Sequence, residues 1–286
     1  MHLGDIEVRY LDGGNFWLDG GAMFGVVPKV FWEKKSPPDE KNRIRLRANS
    51  LLVRAHGKTI VIETGNGTKW DPKQRAIYNV QEGDPLVDSL AENGVQPHEV
   101  DLVINTHLHF DHCGWNTTLT SGGKIVPTFP NARYFAHRGE VEHGHLQLER
   151  DAVSYVSANY DPLIQSGQMT LIDTRAGQVE EIVPGISVEC FPGHTAQTLA
   201  VHIDSAGRRA CYISDLIPTS AHLDITWVMG YDLDPLTCIE QRKRFYAQAI
   251  PGHWLVLFTH DHHTPMSYLR WNDRGKPELE PFSYGS

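Results

Sequence analysis

The chain is short of cysteine, of long apolar runs and of positive charge, and each shortage removes a class of protein. Its four cysteines, Cys113, Cys190, Cys211 and Cys238, are widely spaced and form no CxxC pair, so no disulfide framework is expected and a reducing compartment fits. No run approaches the roughly 18 apolar residues of a membrane span. Met1–Asp5 leads straight into strand-like sequence, without the basic and apolar regions of a secretory leader. A cytoplasmic protein with no membrane span is therefore expected. Acidic residues outnumber basic ones by 35 to 26, and the resulting formal charge of -9 repels phosphate backbones, which argues against nucleic acid as a partner. Repeats, low-complexity tracts and Gly/Ser linkers are also missing. Nothing in the sequence cuts residues 1–286 into independent domains, and one domain is expected.

With 40% hydrophobic residues the chain can bury a sizeable core. Strands are expected over Ile6 to Leu11, ended by Asp12-Gly13-Gly14, and over Leu51 to Arg54 and Thr59 to Glu63, joined as a hairpin. Further strands are expected at 100–105, 132–136, 169–172, 186–191, 199–203, 210–213 and 254–258. Asp84-Pro85 opens a helix that Gly94 stops, and helices are also expected over 139–165 and over 235–249, the latter capped by Asp234. Residues 34–47, rich in proline and mixed charge, read as an exposed loop. Strands in runs with a few interleaved helices indicate a layered α/β domain.

What the chain has in excess is histidine, 16 in all, and placement gives these residues meaning. His107, His109, Asp111 and His112 follow the strand at 100–105 directly, at the carboxyl edge where α/β sheets place their sites. Imidazole nitrogen and carboxylate oxygen are the donors that zinc prefers, and four of them within six residues suffice to begin two neighbouring metal sites. Three later strand ends offer one more donor each: His194 after 186–191, Asp215 after 210–213 and His260 after 254–258. Cys113 reads as a small buried residue. His262 and His263 are either outer donors or ordinary loop residues, and His137, His143 and His145 read as surface residues of the helical insertion near 139–165.

The ordered set His107-x-His109-x-Asp111-His112, Gly193-His194, Asp215 and His260 resembles the dinuclear zinc motif of the metallo-β-lactamase superfamily. That resemblance implies a four-layer αββα sandwich. It implies one metal on His107, His109 and His194, a second on Asp111, His112 and His260, and Asp215 bridging them. Two Zn²⁺ are expected, with Co²⁺, Mn²⁺ or Fe²⁺ as substitutes. A histidine at 109 disfavours the diiron oxidoreductases, which place glutamate there, and an aspartate at 215 disfavours the β-lactam-opening members, which commonly place cysteine there.

Residues 19–29 and 37–42, with Ser214-Asp215-Leu216-Ile217-Pro218-Thr219, resemble the quorum-quenching N-acyl-homoserine lactonases of that superfamily. The resemblance implies opening of an acyl-homoserine lactone by a metal-bridging hydroxide, with Asp111 and Asp215 orienting it or moving its proton, and a homodimer built through the N-terminal loop excursion near 20–47. Relatives similar in sequence hydrolyse aryl esters or organophosphates, and aryl esters, phosphotriesters or thioesters are the alternative substrates. Met23, Phe24, Val26 and Phe31 either line an acyl groove or pack into the core. Several lactonases carry a tyrosine three residues after the bridging aspartate. Here Pro218 stands at that position, and His222 or Tyr231 is the expected substitute donor.

Overall fold

The computed structural model describes residues 1–280. Hydrogen bonding along the chain builds two seven-stranded sheets and a small two-stranded ribbon. The first sheet contains β1 (His2–Leu3), β2 (Ile6–Asp19), β3 (Arg43–Ala55), β4 (Lys58–Ile62) and β5 (Leu102–Ile104). After the ribbon, β6 (Thr117–Leu119) and β7 (Ile125–Pro127), it is completed by β8 (Arg133–His137) and β9 (Met169–Ile172), in the order β1-β2-β3-β4-β5-β8-β9. The second sheet follows chain order through β10 (Val179–Val183), β11 (Ile186–Cys190), β12 (Leu199–Ser205), β13 (Arg208–Tyr212), β14 (Leu255–Leu257), β15 (Met266–Trp271) and β16 (Pro277–Glu280).

The chain folds into two compact units. One holds residues 6–16 and 47–173, with a core that includes Leu52, Val61, Leu86, Val103, Leu108 and Tyr134. The other holds residues 1–5, 17–46 and the chain from Thr174 onward, around Phe191, Ile213, Phe245, Tyr246 and Phe258. Each combines sheet and helix, as the α/β class requires.

Most expected elements are found. β3 and β4 form the hairpin, closing with Ala55 opposite Lys58. The helix after Asp84 is Pro85–Glu92, with Leu86 and Leu90 on its buried face, and Pro235–Ala249 is helical with the Asp234 carboxylate accepting from Thr237 N at 3.0 Å.

Three expectations are corrected. Asp12-Gly13-Gly14 does not turn the chain; β2 runs on to Asp19. A Cβ at Gly13 would stand 2.6 Å from Ala48 O and 2.9 Å from Gly65 Cα, so this glycine serves close backbone approach within a strand. Residues 34–47 are not all loop. From Arg43 they belong to β3, with Ile44 and Leu46 buried in alternation with Arg43 and Arg45. The helix over 139–165 is broken. Its first piece, Arg138–Leu146, ends at Gln147 in a left-handed conformation (φ 49°); two 3₁₀ turns, Ala152–Ser154 and Ser157–Asn159, follow, and α-helix resumes at Asp161–Gln165.

Candidate metal centre

Strand register positions the first four candidate ligands. β5 lies between two parallel neighbours, with Ile62 and Phe135 opposite Ile104. Glu63 N donates to Ile104 O and Asn105 N to Phe135 O, each at 2.9 Å, which extends the pairing one step past the strand ends. The chain then leaves the sheet through Thr106–Leu108 and enters the single helical turn Phe110–Cys113, with His109 at its N-terminal flank. Two buried glutamates hold this loop by its backbone. Glu63 Oε1 accepts from Thr106 N at 2.7 Å, and Glu140 Oε2 accepts from Leu108 N at 3.2 Å.

His107, His109, Asp111 and His112 are all buried. His107 Nε2 lies 3.2 Å from His109 Nδ1, and Asp111 Oδ2 lies 3.7 Å from His112 Nε2. Donors bound at about 2.0–2.1 Å in tetrahedral geometry stand about 3.3 Å apart, so the two imidazole nitrogens have the spacing of neighbours on one zinc ion. The remote nitrogens face oxygens: His107 Nδ1 is 3.1 Å from Thr106 Oγ1, and His112 Nδ1 is 3.5 Å from Glu63 Oε2. A hydrogen-bonded partner such as Thr106 helps set which nitrogen is left to bind metal.

The other unit gathers the remaining three. β13 and β14 are parallel with Tyr212 opposite Leu257, and Asp215 and His260 each stand three residues beyond that pair. Equal offsets from a shared register bring them together, with Asp215 Oδ1 3.2 Å from His260 Nε2. Asp215 Oδ2 is 3.4 Å from His194 Nε2, so one carboxylate spans two imidazoles. Ser214 takes a left-handed backbone (φ 55°) to make the turn, as Glu63 does (φ 62°) at the end of β4. Backbone strain at both strand ends is of the kind that collects at functional sites. His194 Nδ1 lies 3.0 Å from the buried Asp232 Oδ1, while Asp232 Oδ2 accepts from Met229 N at 2.9 Å.

Glu63, Glu140 and Asp232 were not anticipated from sequence. Glu63 was legible in principle, since it ends β4 level with the exit of β5. Asp232 carries no local signal, because its partner is 38 residues away.

The expected substrate residues divide. Met23 and Phe24 are buried, and Phe24 is stacked between Trp32 at 5.2 Å and His222 at 4.5 Å, so both belong to the core and not to an open groove. His222 is also corrected. It is fully buried, with Nδ1 2.7 Å from Thr219 Oγ1 and Nε2 2.9 Å from Met23 O, so neither nitrogen remains for a substrate. Burial, reinforced by the Arg242 cation, pushes its pKa down to about 4. Val26 (90% exposed) and Phe31 (56% exposed) face solvent, and Tyr231 is half-buried. Two histidines expected on the surface are more enclosed: His137 is buried, accepting from Gly139 N at 3.0 Å, and His143 Nε2 pairs with Asp151 Oδ2 at 2.7 Å. Cys113 is buried, as expected.

Residues 43–271 match the family model described as the metallo-β-lactamase superfamily. An N-acyl homoserine lactonase of Bacillus cereus is 25% identical over 188 residues, which cover 65% of this chain and 65% of that protein. The chain thus spans under two thirds of the length of that relative. A probable metal-dependent hydrolase from Staphylococcus aureus, of known crystal structure, is 30% identical with a TM-score of 0.87, covering 99% of this chain and 100% of its own. The structure of AidC, described as a dizinc quorum-quenching lactonase in complex with a product, aligns with a TM-score of 0.77 at 20% identity, over 100% of this chain and 97% of that one. The α/β fold expected from the sequence is the fold of these structures. Among the described residues no helix is long and apolar enough to cross a membrane.

Proposed function

The chain belongs to the metallo-β-lactamase superfamily, and from that membership we propose that it is a dinuclear zinc hydrolase that opens the lactone ring of N-acyl-homoserine lactones. In this reading His107, His109 and His194 hold one ion, Asp111, His112 and His260 hold the other, and Asp215 reaches both. The observation that carries it is the 3.2 Å separation of His107 Nε2 and His109 Nδ1, the spacing that two ligands of one zinc ion take. The relationship to the Bacillus cereus lactonase supports the choice of substrate.

When bound, the metal pair supplies Lewis acidity, polarising a carbonyl and acidifying water. The protein's own part is positional. Thr106 and Asp232 hold the far nitrogens of His107 and His194 so that each presents Nε2. In this reading Asp215, buried beside both His194 and His260, accepts the proton released as water adds across the acyl C–O bond and returns it to the leaving oxygen. Ring opening then yields the N-acyl-homoserine.

A second reading, aryl-ester hydrolysis, is favoured by the 214–222 segment. Pro218 has no donor, and both nitrogens of His222 are engaged, so this segment offers no side chain at those positions to steady a lactone carbonyl. A phenolate leaves more easily than an alkoxide and needs less such help. A panel of acyl-homoserine lactones, an aryl ester, a phosphotriester and a thioester, assayed with zinc-loaded protein, separates the readings. The primary reading expects the highest kcat/KM on a lactone. A higher value on the aryl ester promotes the second reading, and turnover of nothing removes both.

A further inference from the structure

We propose that the pocket beside the metal loop binds a carboxylate carried on the substrate's acyl chain, with Lys69 as the residue that selects for it. This rests on the hydrolase reading and names the substrate class within it. The pocket lies wholly within the unit that contains β5, and Phe110, which stands between His109 and Asp111 in sequence, forms part of its wall. Lys69, Asn66, Gln74, Asn159 and Trp70 complete the lining with two valines. No acidic side chain lines it, in a chain where acidic residues outnumber basic ones.

Lys69 is unusual for an enclosed lysine. Nζ donates to Gly114 O at 2.6 Å and to Thr117 O, and among the described residues it forms no ion pair. An ammonium has three donors, and these two carbonyls occupy two. Burial without a counter-charge pushes its pKa down to about 8. A carboxylate supplies the missing charge and takes the third N–H in a charge-assisted hydrogen bond. The amides of Gln74 and Asn159 add polarity around such a group. The rings of Trp70 and Phe110, 4.9 Å apart edge to face, offer apolar surface to the methylene stem behind it. The ligand that matches is an acyl chain that ends in a carboxylate and not in a methyl group.

The competing account makes Lys69 a strut that ties its own loop to the turn after the metal loop. Matched substrates separate the two: mono-p-nitrophenyl esters of dicarboxylic acids of four to eight carbons, each against the neutral alkanoate ester of equal length. For the zinc-loaded wild type the proposal expects kcat/KM to favour the charged ester by about tenfold or more at one chain length, the scale of a single hydrogen bond to a charged group. In Lys69→Met that preference falls to about one, while kcat/KM on the neutral ester holds within a few-fold. Should the variant fail to fold or load metal, a wild-type measurement serves: adipate inhibits neutral-ester hydrolysis more strongly than hexanoate, although both offer a carboxylate to the metals. Equal rates on charged and neutral esters at every length, or equal inhibition by adipate and hexanoate, overturns the proposal and leaves the hydrolase reading standing. Absence of hydrolysis of every ester and lactone removes that reading, and this inference with it.

Discussion

At position 232 a buried carboxylate does two things at once: it faces His194 Nδ1 and caps Met229 N. Partners of this kind set the tautomer of a metal-binding imidazole, and losing one lowers metal affinity about 10- to 100-fold. Asp232→Ala is expected to show a loss of that size in a chelator competition assay, and Asp232→Asn, which keeps an acceptor oxygen, a smaller one. Equal affinity in all three proteins removes the assigned role. His222 makes a different prediction, through stability. Its neutral form is buried and its pKa lies near 4, so between pH 6.5 and 4 the unfolded chain binds the proton that the folded chain refuses. The contribution is fully present above the unfolded value and is lost as pH falls, by roughly 1.4 kcal/mol per unit across that window. Urea unfolding at a series of pH values should give a steeper acid loss for the wild type than for His222→Gln. Parallel curves contradict the assignment.

At the scale of elements, strand ends carry most of the candidate ligands. The four after β5, with Asp215 and His260 after β13 and β14, were legible as candidates because a buried strand followed at once by ligand-type residues is a local pattern. Their partners were less legible. Glu63 needed the parallel register of β4 with β5, and Glu140 and Asp232 are brought in by chain that folds back over long separations. For Met23 and Phe24 the groove and core alternatives were not separable in sequence, since a core residue and a pocket residue look alike when both are apolar; both are buried. The helix over 139–165 failed because short helical pieces joined by tight turns share composition with one long helix. Gly193 tests the strand-end principle directly. It sits at φ 140°, and a Cβ there would stand 2.7 Å from Cys238 N in the helix Pro235–Ala249. Gly193→Ala is expected to destabilise the metal-free protein by at least about 1–3 kcal/mol from backbone strain and to weaken metal binding through displacement of His194. Calorimetry and metal titration check the two effects, and an unperturbed variant refutes the argument.

Across the whole molecule, two units with separate cores each preform part of a metal-binding set. One contributes four candidate ligands from a single loop, and the other contributes three from separate strand ends. The proposed function draws on both sets, and zinc binding should therefore register as stability. Zinc that binds only the folded chain raises the melting temperature by mass action. Near-saturating zinc is expected to protect the wild type, and His194→Ala and His109→Ala to lose much of that protection although they lie in different units. Loss in only one of the two variants would mean that the half-sets act separately. The most direct measurement is anomalous diffraction at the zinc edge from zinc-grown crystals. The account predicts two peaks about 3.5–4 Å apart, one against His107, His109 and His194, the other against Asp111, His112 and His260, with Asp215 touching both. A single peak, or ions bound with His194 or His260 turned away, would contradict it.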